Sequence, residues 1–179
     1  YAVIKDNGSV ITWGYPGSGG DISSASDQLS SGVVDIVSGF QSFAALKEDG
    51  SLVIWGTGGG DGSTVSTVFS SGVKEVFGNA NTFIALKDDG SLHSISGGVS
   101  QTVFTSNDLF SGIKEVATNN YSFAALKDDG SVVTWGNHNT GNDSSSVADQ
   151  LSSGVRQIYG HQWGSAFAAI KDDGSVVAW

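Results

Sequence analysis

The residues with the means for chemistry in this chain are carboxylates. Asp21, Asp61 and Asp143 each follow a tryptophan (Trp13, Trp55 and Trp135) across a short Gly-rich loop, with Ser hydroxyls close by in sequence. Carboxylate, hydroxyl and backbone oxygens together suit Ca2+, so these three Asp are candidate calcium ligands. The competing reading makes each a cap opening a helical turn, as in Asp143-Ser144-Ser145-Ser146, where the carboxylate accepts backbone N–H groups. No Asp-x-Asp-x-Asp pattern is present, and beyond calcium no cofactor is suggested. A second set of carboxylates recurs in Lys-Asp-Asp-Gly-Ser. These acids sit side by side instead of at alternating ligand spacing, so they read as turn residues. His93, His138 and His161 are scattered and Cys is absent, which leaves no zinc set in view. There is no Gly-x-Ser-x-Gly elbow and no Lys-bearing phosphate loop. No catalytic group is nominated, and the expectation is a protein that is not an enzyme.

What must position these residues is a repeat. Phe123-Ala124-Ala125-Leu126-Lys127-Asp128-Asp129-Gly130-Ser131-Val132-Val133-Thr134-Trp135-Gly136 recurs with variation, its Lys standing at positions 5, 47, 87, 127 and 171. A period of about forty residues marks a repeat architecture. Within each repeat, a short strand with a local irregularity comes first (Ile113 to Ala117 and its counterparts). A polar turn leads to an Ala-rich strand, apolar on both faces and so expected to be buried on both. Asp-Asp-Gly then reverses the chain, with Gly in the left-handed position of a hairpin turn. A β-branched strand ending in Trp closes the unit. The third copy departs from the rule: Leu92-His93-Ser94-Ile95-Ser96 replaces Val-Val-Thr-Trp-Gly. That hairpin is the place to look for a special contact.

The segments between repeats are rich in Gly, Ser, Asn and Asp, and Leu29, Phe69, Leu109 or Phe110, and Leu151 are expected to plug into the core. Tyr15, Phe40, Phe77, Tyr121, Tyr159, His161 and Trp163 fall in or beside these variable stretches. Aromatic anchors are typical hot spots of binding surfaces, so the seven are candidates for a protein- or glycan-binding face. Packing over blade edges is the alternative. Three or four antiparallel strands per repeat, stacked sheet on sheet, give an all-β fold: a β-propeller, or part of one, of about 4–5 repeats. The array is expected to be one repeat domain over residues 1–179, with a partial repeat at 1–31, repeats at 32–71, 72–111 and 112–153, and a last partial repeat at 154–179.

The hairpin half of the motif, with the upstream Gly-Val-x-x-Ile, resembles the regulator of chromosome condensation repeat over essentially the whole chain. The resemblance implies a propeller. The form after Trp-Gly, Gly19-Gly20-Asp21-Ile22-Ser23-Ser24 and Thr140-Gly141-Asn142-Asp143-Ser144-Ser145, is similar to tandem repeats of large bacterial secreted or surface proteins. Branches of the family exchange nucleotide on a small GTPase and bind chromatin, sense ultraviolet-B through clustered Trp, or inhibit β-lactamases. Eight Lys and Arg against eighteen Asp and Glu, for a net charge of −10, argue against the chromatin role and against nucleic acid or anionic membrane as a partner. No apolar run is long enough to insert in a membrane.

The resulting expectation is a non-enzymatic binding or structural module of a secreted or cell-surface protein, meeting a protein, a glycan or copies of itself. An enzyme inhibitor and a ring- or filament-forming subunit are the alternatives. The chain has no Met and both begins and ends inside a repeat, so it is expected to be a segment of a longer polypeptide.

Overall fold

The computed structural model describes residues 1–56, 70–80, 82–96, 99–104, 112–136, 141–161 and 164–179. These form five antiparallel sheets in chain order. The first pairs β1 (Ala2–Ile4) with β2 (Val10–Thr12). The second is β3 (Val33–Ser38), β4 (Ser42–Lys47) and β5 (Leu52–Gly56). The third holds β6 (Val73–Gly78), β7 (Thr82–Lys87) and β8 (Leu92–Ser96), with a fourth strand, β9 (Val99–Phe104), along β8. The fourth is β10 (Ile113–Thr118), β11 (Ser122–Lys127) and β12 (Val132–Gly136). The fifth is β13 (Val155–Gly160), β14 (Phe167–Lys171) and β15 (Val176–Ala178). The meander order of each sheet matches the all-β propeller expectation. Two compact units emerge, Tyr1–Thr105 with the first three sheets and Ser106–Trp179 with the last two.

The expected irregularity in the first strand is a bulge, falling between Val33 and Asp35, Val73 and Glu75, Ile113 and Glu115, and Val155 and Gln157. The acidic hairpins also take the form the sequence implies. At Gly50 the backbone has φ +73°, and Gly50 N–H donates to Lys47 O at 2.9 Å. A Cβ there would lie 2.6 Å from Gly72 N. Both the left-handed backbone and the next strand's approach therefore demand Gly. That approach is bonded: Val73 N–H donates to Gly50 O at 3.0 Å, as Val33 does to Gly8 and Val155 to Gly130. The turn of one sheet thus holds the first strand of the next.

The second sheet buries both faces, as its Ala-rich strand predicts. In the second sheet Ala45, Val53 and Trp55 pack with Val10, Leu29 and Ala2, facing the first sheet. Ala44, Leu46, Leu52 and Ile54 face the other way, onto Val76, Phe83, Ala85 and Ile95 of the third. In the second unit Ala124 and Leu126 pack against Val155, Ile158, Phe167, Ala169 and Val177. Leu29 and Leu151 are buried plugs as expected; Phe69, Leu109 and Phe110 lie outside the described residues. The stretch after Trp takes short helical turns at Pro16–Ser18, Ser23–Ala25 and Ser145–Val147, the last running into α1 (Ala148–Leu151). Among the described residues no helix is long and apolar enough to cross a membrane.

Candidate functional site

Each sheet has two chemically distinct ends. One carries the acidic hairpins. In four of the five the second acid accepts both the backbone N–H and the hydroxyl of the following Ser: Asp129 Oδ1 from Ser131 at 2.9 and 2.6 Å, and likewise Asp49 from Ser51, Asp89 from Ser91 and Asp173 from Ser175. The Ser hydroxyl first, then the Ser N–H, holds each of these carboxyls below its usual range. Asn7 takes the same place before Ser9 in the first hairpin.

The loop after Trp is built twice to one plan. Thr12 Oγ1 donates to Gly20 O at 2.9 Å, and Thr134 Oγ1 to Asn142 O at 2.6 Å. Asp21 Oδ1 accepts Ser23 N–H at 2.8 Å and Asp143 Oδ1 accepts Ser145 N–H at 3.0 Å. Both acids are exposed and close Asx turns ahead of the helical turns. The Ser23 N–H, followed by the Ser23 hydroxyl, lowers the Asp21 carboxyl. Further along, Lys47 Nζ donates to Gln28 O at 2.8 Å, and Lys171 Nζ caps Gln150 O and Ser153 O. Among the described residues no three His, Cys, Asp or Glu side chains converge as a metal set. Asp61 lies outside the described residues, as do Trp163 and His138.

What this loop presents is a carbonyl. Trp55 Nε1–H donates to Gly19 O at 3.0 Å, and Trp179 Nε1–H to Gly141 O at 2.9 Å. These two Trp therefore reach back to the loop that follows the Trp of the preceding sheet. The indole is held at the right angle by stacking on the aromatic that starts the neighbouring strand: Phe43 with Trp55, Phe123 with Trp135, Phe167 with Trp179, and Tyr1 with Trp13, at centroid distances of 5.3 to 5.5 Å. Sequence reasoning placed these Trp at strand ends and missed their reach. The signal was available in the fixed spacing from Trp13 to Gly19 and from Trp135 to Gly141.

The aromatic candidates separate into two groups. Register places the start of β4 beside the end of β5, Ser42 opposite Gly56, and the start of β11 beside the end of β12, Ser122 opposite Gly136. The connections before β4, β11 and β14 therefore share an end of their sheets with the loops after Trp. Phe40, Tyr121 and His161 lie in those connections and Tyr15 in such a loop, all four exposed. Tyr15 and Phe40 belong to the first unit, Tyr121 and His161 to the second. Phe77 is half-buried within β6 opposite Ile84. Tyr159 is exposed on the face of the last sheet, opposite Ala168. In the third hairpin Ile95 stands opposite Phe83 where the other sheets carry Trp. His93 lies beside Ser91, Nε2 to Oγ 3.1 Å, and burial foremost lowers its basicity.

No protein-family model and no curated protein matches the chain. Solved structures do. Prp20p from Saccharomyces cerevisiae superposes with a TM-score of 0.61 at 17% identity, over 82% of this chain and 44% of that one. The ectodomain of the receptor kinase CR4 from Physcomitrella patens gives 0.60 at 13%, over 82% and 40%. Human WBSCR16 gives 0.58 at 18%, over 82% and 46%. The fold is thus that of regulator of chromosome condensation type propeller blades, and the chain spans less than half the length of these structures.

Proposed function

We propose that the chain is a non-enzymatic binding module of a secreted or cell-surface protein, and that the sheet ends bearing the loops after Trp take a protein or glycan partner. One observation carries this reading: Tyr15, Phe40, Tyr121 and His161 are exposed at that same end of their sheets. Exposed rings on hydrogen-bonded loops lose little freedom on binding and offer an apolar face, to which Tyr15, Tyr121 and His161 add a polar tip. The opposite end serves as scaffold, because its carboxylates are spent on Ser caps and held low in pKa, away from the range useful for proton transfer at neutral pH. Protein partners fit the fold's known uses: Prp20p is described with its binding to Gsp1p and histones. Placement outside the cell is supported by the acidic, Ser- and Gly-rich composition.

Binding of the purified chain to a glycan array and to a library of extracellular proteins tests this. A ligand should emerge whose affinity falls at least tenfold in Tyr15→Ala, Phe40→Ala or Tyr121→Ala. Absence of any ligand, or a ligand indifferent to all three substitutions, would overturn the reading.

A further inference from the structure

The third hairpin sets an ionisable ring where other sheets set valine. The last-strand residue that pairs with the second Ala of the middle strand is Val53 in the second sheet and Val177 in the fifth. They are 1% and 5% exposed, each clustered with residues of the sheet before its own. In the third sheet the residue that pairs with Ala85 is His93. Side chains along a strand alternate between faces, so His93 shares the face of Ile95 and, across the pair, of Ala85 and Phe83. That face packs on Ala44, Leu46, Leu52 and Ile54 of the second sheet. His93 therefore stands half-buried at a sheet-on-sheet contact built from apolar side chains.

The hairpin also fixes which nitrogen takes a proton. The single O–H of Ser91 donates to Asp89 Oδ1 at 2.6 Å. At the 3.1 Å contact between His93 Nε2 and Ser91 Oγ the ring must then be the donor. The neutral ring is thus the Nε2–H tautomer, with its basic lone pair on Nδ1, an atom enclosed by the protein. A proton there places a charge against the apolar face of the second sheet, which burial disfavours. Burial is the main cause holding the basicity of this ring down; Lys87 adds to it and Asp89 opposes it. Among the described residues, the other elements around this face bring no counter-charge. The packed residues of the second sheet are apolar, β6 contributes Val73 and Val76 while its Lys74 and Glu75 are exposed, and the sequence of β9 has no titratable residue.

We propose that His93 is a proton-operated latch between the second and third sheets, closed while the ring is neutral and loosened when Nδ1 takes a proton. A valine at this position would close the same contact at every pH, so the departure of this hairpin from the repeat supplies the sensitivity. The folded form binds the proton less tightly than the unfolded chain, whose imidazole has the ordinary value of 6.5. The stability of the closed contact is therefore full above 6.5 and is lost as the pH falls through 6.5 and on towards the lower folded value. The hairpin carboxylates, held below 3.8, stay ionised in that window. The latch stands independently of the loop-bearing binding surface.

Amide hydrogen exchange along β7 and β8, expressed at each pH as protection relative to an unstructured chain, tests this between about pH 8 and pH 5. In the parent, protection of these strands should fall severalfold towards acid. His93→Val restores the residue of the second and fifth sheets, and His93→Gln keeps a polar side chain that does not titrate. Both variants should hold their protection level across the window, and either one that folds suffices for the comparison. The ring resonances of His93 in the parent should titrate below the free-histidine value. Protection that stays constant in the parent, a fall retained in either variant, or a ring that titrates at or above the free value would each overturn the proposal.

Discussion

The Trp55 indole N–H donates to the carbonyl oxygen of Gly19 at 3.0 Å, and both residues are buried. Trp55 thereby ties the second sheet to the loop of the first, while its ring stacks on Phe43. Trp55→Phe keeps an aromatic ring but removes the donor and leaves a buried carbonyl unpaired, which costs about 1–3 kcal/mol. Trp55→Ala also loses the stack and opens a cavity, with a cost of about 3–5 kcal/mol. Denaturant midpoints should therefore fall in the order parent, Phe, Ala. A Phe variant as stable as the parent would show that the bond to Gly19 contributes nothing.

Gly50 and Gly174 separate two reasons for glycine. Both have positive φ, +73° and +83°. A Cβ at Gly50 would meet Gly72 N at 2.6 Å, whereas at Gly174 nothing lies within 4 Å. Gly174→Ala should therefore show only the backbone penalty of the left-handed region, about 1–2 kcal/mol. Gly50→Ala should cost more, because the Val73 N–H bond to Gly50 O must also shift. Equal losses in the two variants, measured by thermal melts, would show that the approach of the next strand is soft.

The hairpins were the most legible part of the chain, because Asp-Asp-Gly-Ser encodes its own turn: the acid caps the Ser, and the Gly takes the positive φ. The strands were legible because Phe-Ala-Ala-Leu is apolar on both faces and the second sheet, which carries it, buries both. The loops were harder. Asp21 looked the same to the eye as ligand or as turn former, and only the distance to Ser23 N–H shows the Asx turn it closes. Tyr159 reads as a loop aromatic beside Gly160, yet β13 runs through it and turns its ring onto a sheet face. The Trp-to-Gly bond joins residues 36 positions apart, a pairing that local propensity does not encode.

The Ser-capped carboxylates give the stability a signed dependence on pH. Asp21, Asp49, Asp89, Asp129 and Asp173 are all held below 3.8 by bonds that need the ionised form. The folded state binds these protons less tightly than the unfolded chain. Their stabilisation is full above the unfolded value and is lost as pH falls through 3.8 and on through the lower folded values. Glu115 acts in the opposite sense. Burial foremost raises its carboxyl above 4.5, so its ionisation works against folding as pH rises through that value. Melting temperatures between pH 2 and pH 7 should drop on the acid side. Asp129→Asn should flatten that drop, since the amide oxygen still caps Ser131 but does not titrate. Glu115→Gln should steepen the net rise from acid toward neutral pH. A profile unchanged by Asp129→Asn would remove the hairpin carboxylates from the explanation.

Ile95 shows that the third hairpin is a different solution and not a decayed copy. It pairs with Phe83, the position at which the second and fourth sheets set Trp against Phe. Ile95 is buried and packs in a cluster with Val76, Phe83 and Ala85. The backbone of β9 runs directly alongside, with Ser100 opposite Ile95, so in this sheet the edge of β8 is covered by a fourth strand. Restoring the repeat consensus with Ile95→Trp would force an indole into space already filled, and overpacking of a core costs about 1–3 kcal/mol. The substitution should therefore lower the unfolding midpoint even though it improves the match to the other repeats. A rise would mean that the site retains room for the indole and that β9 does not compensate for its absence.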